Sequence, residues 1–237
     1  MDKELCAKYW DNIVHQKDLL LTNGFIKLPP LSEIIDSKKY IDAIIAEING
    51  KNYTESSETH TRFLEDIGVS QFLSPILYEI AKENFDYRKQ ISNQYHIARY
   101  VKPGDIGEQY KTHFDSHLFT VVFPLQIPTS DDGAGELLYL PNIRRNVKSE
   151  ILNIIHKIYY KRYANKVVVE NLVSENKMLV ETFYDCSPLI FLGRTTLHTN
   201  RHVSKNASHP RLTLLAHFFD PSPKYGIGSI LRFLRRR

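Results

Sequence analysis

A histidine and an aspartate stand two apart in Thr112-His113-Phe114-Asp115-Ser116-His117. In an extended chain residues i and i+2 point to one face, so one imidazole nitrogen and one carboxylate oxygen can reach a common cation. Two donors do not hold a catalytic metal, and the chain offers a distant third in Leu192-Gly193-Arg194-Thr195-Thr196-Leu197-His198, with His202 as a second candidate. Two imidazoles and one carboxylate on one side of a cation leave coordination positions open, and that donor set suits Fe(II).

A His-x-Asp pair alone is common on surfaces and in turns. Context sets this one apart. It follows a β-like segment and the turn Lys102-Pro103-Gly104-Asp105, and it leads into Phe119-Thr120-Val121-Val122-Phe123, which can enter a core. Arg211 is the next informative residue. It opens Arg211-Leu212-Thr213-Leu214-Leu215-Ala216-His217-Phe218-Phe219, where alternation puts Arg211, Thr213, Leu215 and His217 on one face. At a sheet edge an arginine can lay its stem over apolar surface and keep its head wet. Pointing inward it needs an anion, and a carboxylate met at two points is an effective partner. The Thr213 hydroxyl adds a donor beside it.

Elements must bring these residues together. Residues 3–20 have helical spacing in Leu5, Tyr9, Ile13 and Leu20, and Asn23-Gly24 ends that pattern. Phe25–Leu28 reads as a short strand stopped by Pro29-Pro30, residues 37–48 and 73–84 as helices, and Asn49–Thr61 as a polar loop. From Tyr95 the texture turns β-like. Strands are expected at Tyr95–Val101, Phe119–Leu125, Glu136–Leu140, Lys166–Val173, Leu179–Phe183, Leu189–Leu192 and Arg211–Phe219. An amphipathic helix at Val147–Tyr163 interrupts them, marked by Ile151, Ile154, Ile155, Ile158 and Tyr159. Strands separated by Gly, Pro, Asn and Asp predict an antiparallel sandwich or barrel. One domain is expected over 1–237: helical support with one early strand in 1–90, a β-barrel with its inserted helix in 91–222, and a basic tail in 223–237.

Composition narrows the class. At 237 residues, 42% hydrophobic and 24% charged, the chain can bury one sizeable core, which excludes a disordered polyelectrolyte. Much of the net charge of +4 sits in the tail Leu231-Arg232-Phe233-Leu234-Arg235-Arg236-Arg237, leaving a nearly neutral body that argues against nucleic-acid binding. Cys6 and Cys186 make neither a disulfide framework nor a cysteine-rich zinc site. The charged start and the lack of a long apolar run lead us to expect a cytoplasmic protein without a membrane segment.

Taken together, His113, Asp115, His198, Arg211 and Thr213 resemble the motif set of the Fe(II)/2-oxoglutarate-dependent dioxygenases, over roughly residues 95–220. Asn23-Gly24-Phe25-Ile26-Lys27-Leu28-Pro29 also looks like the opening strand of such enzymes. The resemblance implies a double-stranded β-helix (jelly-roll, cupin-like) core, mainly β with flanking helices. It implies Fe(II), 2-oxoglutarate and O2 as cofactors, with His113, Asp115 and His198 on iron and Arg211 and Thr213 on the co-substrate. His202 also fits the wider family's spacing, but the Gly193-Arg194-x-x-Leu197-His198 lead-in matches better. Tyr100 would be a second co-substrate contact, and Arg62, Tyr110 and His117 would face the substrate. For Arg62 an ordinary surface role is the competing reading, and for Tyr100 a core tyrosine with a bonded hydroxyl.

Gly104-Asp105 with Gly107, the Gly193–His198 stretch and the last strand are similar to the narrower branch of free-amino-acid hydroxylases and halogenases. Halogenases of that branch replace the metal-binding acid with a small residue, whereas Asp115 is present here, so the resemblance implies oxygenation, usually hydroxylation. The nucleic-acid demethylase branch carries a second arginine in its last strand, where this chain has His217. The expected activity is hydroxylation of an unactivated C–H bond in a small molecule, a free amino acid or a specialised metabolite. Desaturation, cyclisation, protein side-chain hydroxylation and a non-catalytic ligand-binding barrel stand as alternatives. The loop Ser130-Asp131-Asp132-Gly133 and the inserted helix are candidate lids.

Overall fold

The computed structural model describes residues 2–91, 94–107, 109–146 and 150–221, so the basic tail and residues 147–149 of the expected inserted helix lie outside the described residues. The N-terminal third supplies the helical support. α1 (Lys3–His15) starts where the Asp2 carboxylate accepts from the backbone of Glu4 and Leu5, and it buries Cys6, Tyr9, Trp10 and Ile13. The expected single helix over 3–20 breaks at Gln16, and α2 (Lys17–Asn23) ends on Gly24 in the left-handed region. β1 (Phe25–Lys27), α3 (Lys38–Ile48), β2 (Tyr53–Glu55), α4 (Glu58–Asp66) and α5 (Ser74–Phe85) follow.

The polar stretch Asn49–Thr61 is therefore not all loop. β2 is the outermost strand of its sheet, so its side chains show no apolar alternation, and Ser57 caps α4 by accepting from the His60 N–H.

The remaining elements are β3 (Tyr95–Val101), β4 (Phe119–Gln126), β5 (Leu137–Leu140), α6 (Glu150–Tyr160), α7 (Lys166–Ser174), β6 (Leu179–Glu181), β7 (Leu189–Leu192), β8 (Leu197–Asn200) and β9 (Arg211–Phe218). The valine-rich stretch expected as a strand at Lys166–Val173 is the helix α7. Asn165 caps it, and Val169, Leu172 and Val173 form one helical face against Leu138 and Met178. That tertiary contact outweighs the preference of β-branched residues for strands.

Two antiparallel sheets result, one ordered β1-β7-β4-β9-β3-β2 and one ordered β6-β5-β8. The central strands of the larger sheet are two-faced. Phe119, Val121 and Phe123 of β4 and Leu212, Leu214, Ala216 and Phe218 of β9 join Trp10, Ile13, Ile44, Phe63 and Leu77 of the helices in the main core. Trp10 and Phe63 meet Phe123 edge-on at 6.4 and 5.9 Å. The opposite faces of the same strands turn toward the smaller sheet and line a cavity. Register slips between Pro124 and Gln126, where a proline that cannot donate to the ladder meets a bulge.

Candidate metal centre

Backbone pairing assembles the site. His113 and His198 form a two-residue antiparallel bridge, each N–H donating to the other's carbonyl at 3.0 Å. On its other side His198 pairs with Tyr139 of β5, so the strand carrying the distal histidine is held from both edges. Asp115 is placed by its own N–H, which donates to the Gly193 carbonyl at 3.0 Å. A β-carbon on Gly193 would lie 2.9 Å from the His117 carbonyl and from Thr120 Oγ1, and 3.0 Å from Asp115 Cβ. Glycine is needed there for the two segments to approach.

One donor atom each from His113, Asp115 and His198 then lies within 4.8 Å of the others. His113 Nδ1 faces the Lys111 carbonyl at 2.8 Å and His198 Nδ1 faces the Thr196 carbonyl at 3.2 Å. A carbonyl only accepts, so each Nδ1 carries the proton and each Nε2 presents its lone pair. Both Nε2 atoms stand 3.7 Å from an Asp115 carboxylate oxygen, too far for a hydrogen bond and close enough for one cation to sit among them. Burial pushes the His198 imidazole down, to about 4, so it is neutral at pH 7 as a ligand must be. Burial opposes ionisation of Asp115. In the acid range where a carboxyl would titrate, the positive charge of the surrounding His198, His217 and His113 and a hydrogen bond from Thr120 outweigh it and hold the carboxyl below its ordinary range.

Thr120 and His217 back the carboxylate. The Thr120 hydroxyl donates to Asp115 Oδ2 at 2.5 Å and lies 3.0 Å from His217 Nδ1, whose ring clusters with those of Tyr95 and His117. The three donors sit in the wall of a cavity of about 600 Å3. Arg211, Thr213, Leu215 and His217 of β9 line it in the alternation expected from the sequence. Arg211 is 3% exposed and its guanidinium makes no hydrogen bond or ion pair among the described residues. Burial and the nearby Arg99 push its guanidinium down to about 10, so it remains charged at neutral pH. Gly135, at φ +79°, gives its stem room, since a β-carbon there would lie 2.6 Å from Arg211 Cδ.

Other residues singled out in the sequence lie elsewhere. His202 faces Asp132 at 3.8 Å and stands outside the donor trio, because its strand neighbour is Gly135 rather than His113. Tyr100 pairs with Leu212, so it shares the core face of its strand and packs with the helices, while its neighbour Arg99 takes the cavity face. Arg62 is exposed on α4 and lines no part of the cavity. Tyr110 is buried with its hydroxyl donating to Glu170 at 2.6 Å, and Glu170 is also gripped by Arg201. His117 packs on His217, behind the wall. The loop Ser130–Gly133 covers His202 rather than the cavity, whereas Tyr160 at the end of α6, with Lys161 and Ala164 after it, does form part of the cavity wall. Arg99 and Thr120 were not anticipated. The available signal for Thr120 was a hydroxyl inside an apolar strand, which needs a partner when buried.

No family model matches the chain, and no curated protein matches it in sequence. Solved structures do match. A prolyl 4-hydroxylase from Phytophthora capsici superposes with TM-score 0.56 at 11% identity, over 99% of this chain and 73% of that one. The non-heme alpha-ketoglutarate-dependent carbocyclase SnoK from nogalamycin biosynthesis gives 0.53 at 11%, over 98% and 91%. A prolyl hydroxylase from Trichoplax adhaerens, in complex with a hypoxia inducible factor peptide fragment, gives 0.52 at 14%, over 91% and 90%. The chain shares its fold with these solved structures: mostly antiparallel sheet with flanking helices, a jelly-roll core. Among the described residues no helix is long and apolar enough to cross a membrane.

Proposed function

We propose that this chain is an Fe(II)- and 2-oxoglutarate-dependent oxygenase that hydroxylates an unactivated C–H bond of a small molecule. The observation that carries this reading is the convergence of His113, Asp115 and His198 in a cavity whose wall also holds the buried, unpaired Arg211. Two imidazoles whose Nδ1 atoms face carbonyls, leaving Nε2 toward the centre, and one carboxylate fit Fe(II) in chemistry as well as number. When bound, iron and 2-oxoglutarate with O2 supply an oxidant that hydroxylates the substrate while the keto acid becomes succinate and CO2.

The chain's own residues do the rest. Arg211, with Thr213 beside it, receives the far carboxylate of 2-oxoglutarate, and burial makes that charged pairing strong and directional. Val122, Leu137, Phe191, Leu197 and Leu215 line the cavity with apolar surface and exclude water around the reacting carbon. Thr120 fixes the Asp115 carboxylate so that Oδ1 faces His113 and Oδ2 faces His198.

Two other outcomes keep the same centre. Likeness to the Trichoplax enzyme in complex with a peptide favours a protein side chain as substrate, and likeness to a carbocyclase favours ring closure. Product analysis by mass spectrometry separates them. The test of the centre itself is anaerobic addition of Fe(II) and 2-oxoglutarate. The weak visible band of an iron-bound 2-oxo acid is expected with the native chain and absent with Asp115→Ala. A silent spectrum from the native chain refutes the reading and leaves a non-catalytic barrel.

A further inference from the structure

A second cavity, of about 540 Å3, shares no lining residue with the one at the metal centre. It lies where the ends of α2 (at Leu21) and α5 (at Asn84 and Phe85) meet the loop after β5 and the end of β7. The fold fastens that loop in place. Asn142 donates to the carbonyls of Leu21 and Thr22 at 3.4 and 3.1 Å, and its Oδ1 accepts from the Thr195 hydroxyl at 2.9 Å. The residues that follow it, among them Arg144, Arg145 and Asn146, are thereby held along the cavity wall.

Two of these are cations, and no carboxylate stands among the described lining residues. Arg144 is 7% exposed. Its Nε donates to the Arg194 carbonyl at 2.7 Å, its Nη2 donates to Asn153 Oδ1 at 2.9 Å, and its guanidinium lies over the Phe114 ring at 3.7 Å. All three partners are neutral groups. They fix the head of the side chain and leave Nη1 buried with no hydrogen-bond partner. Burial, then the charge of Arg194, push the guanidinium down to about 10, so it stays charged at neutral pH. A buried charge with an unmatched donor is costly until an anion completes it. Arg145, beside it, is exposed and makes no ion pair or hydrogen bond among the described residues.

Asn146 has the opposite need, because its Oδ1 is a buried acceptor without a donor. A ligand that serves all three residues carries acceptor oxygens for two guanidinium groups and an O–H for the amide oxygen. Carboxylate and sulfate groups have no O–H at neutral pH. A phosphate monoester, with its second ionisation at about pH 6, has both. Size then separates a free ion from a larger ligand. Small-molecule sites span about 300–1,000 Å3, and this cavity falls within that range, with apolar wall at Leu21, Phe85 and Leu192.

We propose that this cavity is a second binding site, for a small phosphate monoester whose phosphate group is received by Arg144, Arg145 and Asn146 and whose organic part lies against Leu21, Phe85 and Leu192. No residue of the metal centre takes part, so the site stands or falls independently of the oxygenase reading.

The test titrates the full chain by calorimetry, with neither iron nor 2-oxoglutarate present, at about pH 6.5. The probes are phenyl phosphate, glycerol phosphate and inorganic phosphate, with phenyl sulfate as the anion that lacks an O–H. At least one monoester is expected to bind about tenfold or more tightly than inorganic phosphate, and phenyl sulfate to bind more weakly than phenyl phosphate. The surface change Arg145→Glu, and Asn146→Asp, which keeps the shape and adds a negative charge, should each weaken that monoester by about tenfold or more, with far-UV circular dichroism unchanged. Arg145→Lys should retain part of the affinity, and Arg211→Gln should leave it near native. Loss of binding in Arg211→Gln but not in Arg145→Glu would place the anion in the metal cavity and overturn the inference. So would failure of both monoesters to bind, or inorganic phosphate binding as tightly as either. Phenyl sulfate matching phenyl phosphate would overturn the choice of a phosphate ligand.

Discussion

Thr120 shows how much a single hydroxyl can carry. It sits in an otherwise apolar strand, 1% exposed, donating to the carboxylate of the donor trio and touching His217. Groups that orient a metal-bound side chain typically alter affinity by about 10- to 100-fold when removed. Thr120→Val keeps the shape and deletes the donor, so Fe(II) affinity measured by calorimetry should fall by about tenfold or more, with Thr120→Ser near native. An unchanged dissociation constant in the valine variant would show that the hydroxyl does not orient Asp115. At this scale His113, Asp115, Arg211 and Thr213 were legible, because their spacing in extended chain already puts them on shared faces. The choice between His198 and His202 was not, since it depends on which of them bridges to His113, a contact across 85 positions. Tyr100 faces the helices rather than the cavity for a related reason. Strand parity decides which of two neighbours faces the cavity, and Arg99 takes that place.

Elements meet at the metal centre through short backbone contacts. The turn after β7 approaches the Asp115–Thr120 segment so closely that Gly193 has no room for a side chain. Gly193→Ala should force that turn outward, cost roughly 1–3 kcal/mol in urea denaturation and abolish the iron–2-oxoglutarate band, with far-UV circular dichroism preserved. Native metal binding in that variant would mean the turn yields without moving Asp115. Most strands were readable from alternation, as were the helices with clear apolar faces. α7 was not, because its three consecutive valines suggest a strand and its helical face emerges only against Leu138 and Met178. β8 was also missed, being four residues long and polar in Thr199 and Asn200.

The molecule as a whole places titratable groups deep in its support layer, away from the chemistry. His60 on α4 is fully buried, its ring 5.7 Å from that of His96, with neither ring nitrogen hydrogen-bonded. Burial, then the charge of His96, lower its pKa to about 4, while Glu47 pulls weakly the other way. An unfolded histidine titrates near pH 6.5, so above that pH both states are neutral and its contribution is complete. Between pH 6.5 and 4 the unfolded chain binds the proton and the folded one does not. Stability is therefore lost as pH falls through this window, by about 3 kcal/mol at pH 4. Urea denaturation across that range should show the loss, and His60→Leu should flatten it. An equal slope in the variant would place the dependence on other groups. The two-faced strand β9 carries a last consequence. Its odd positions carry the buried Arg211 into the cavity wall and its even positions fill the helical core, so sliding it by one residue would bury a guanidinium among aromatics and put leucines beside the donor trio. Insertions in the preceding loop can then drift freely through evolution only in ways that leave this strand unslipped, and folding correctly and building the cavity become a single requirement.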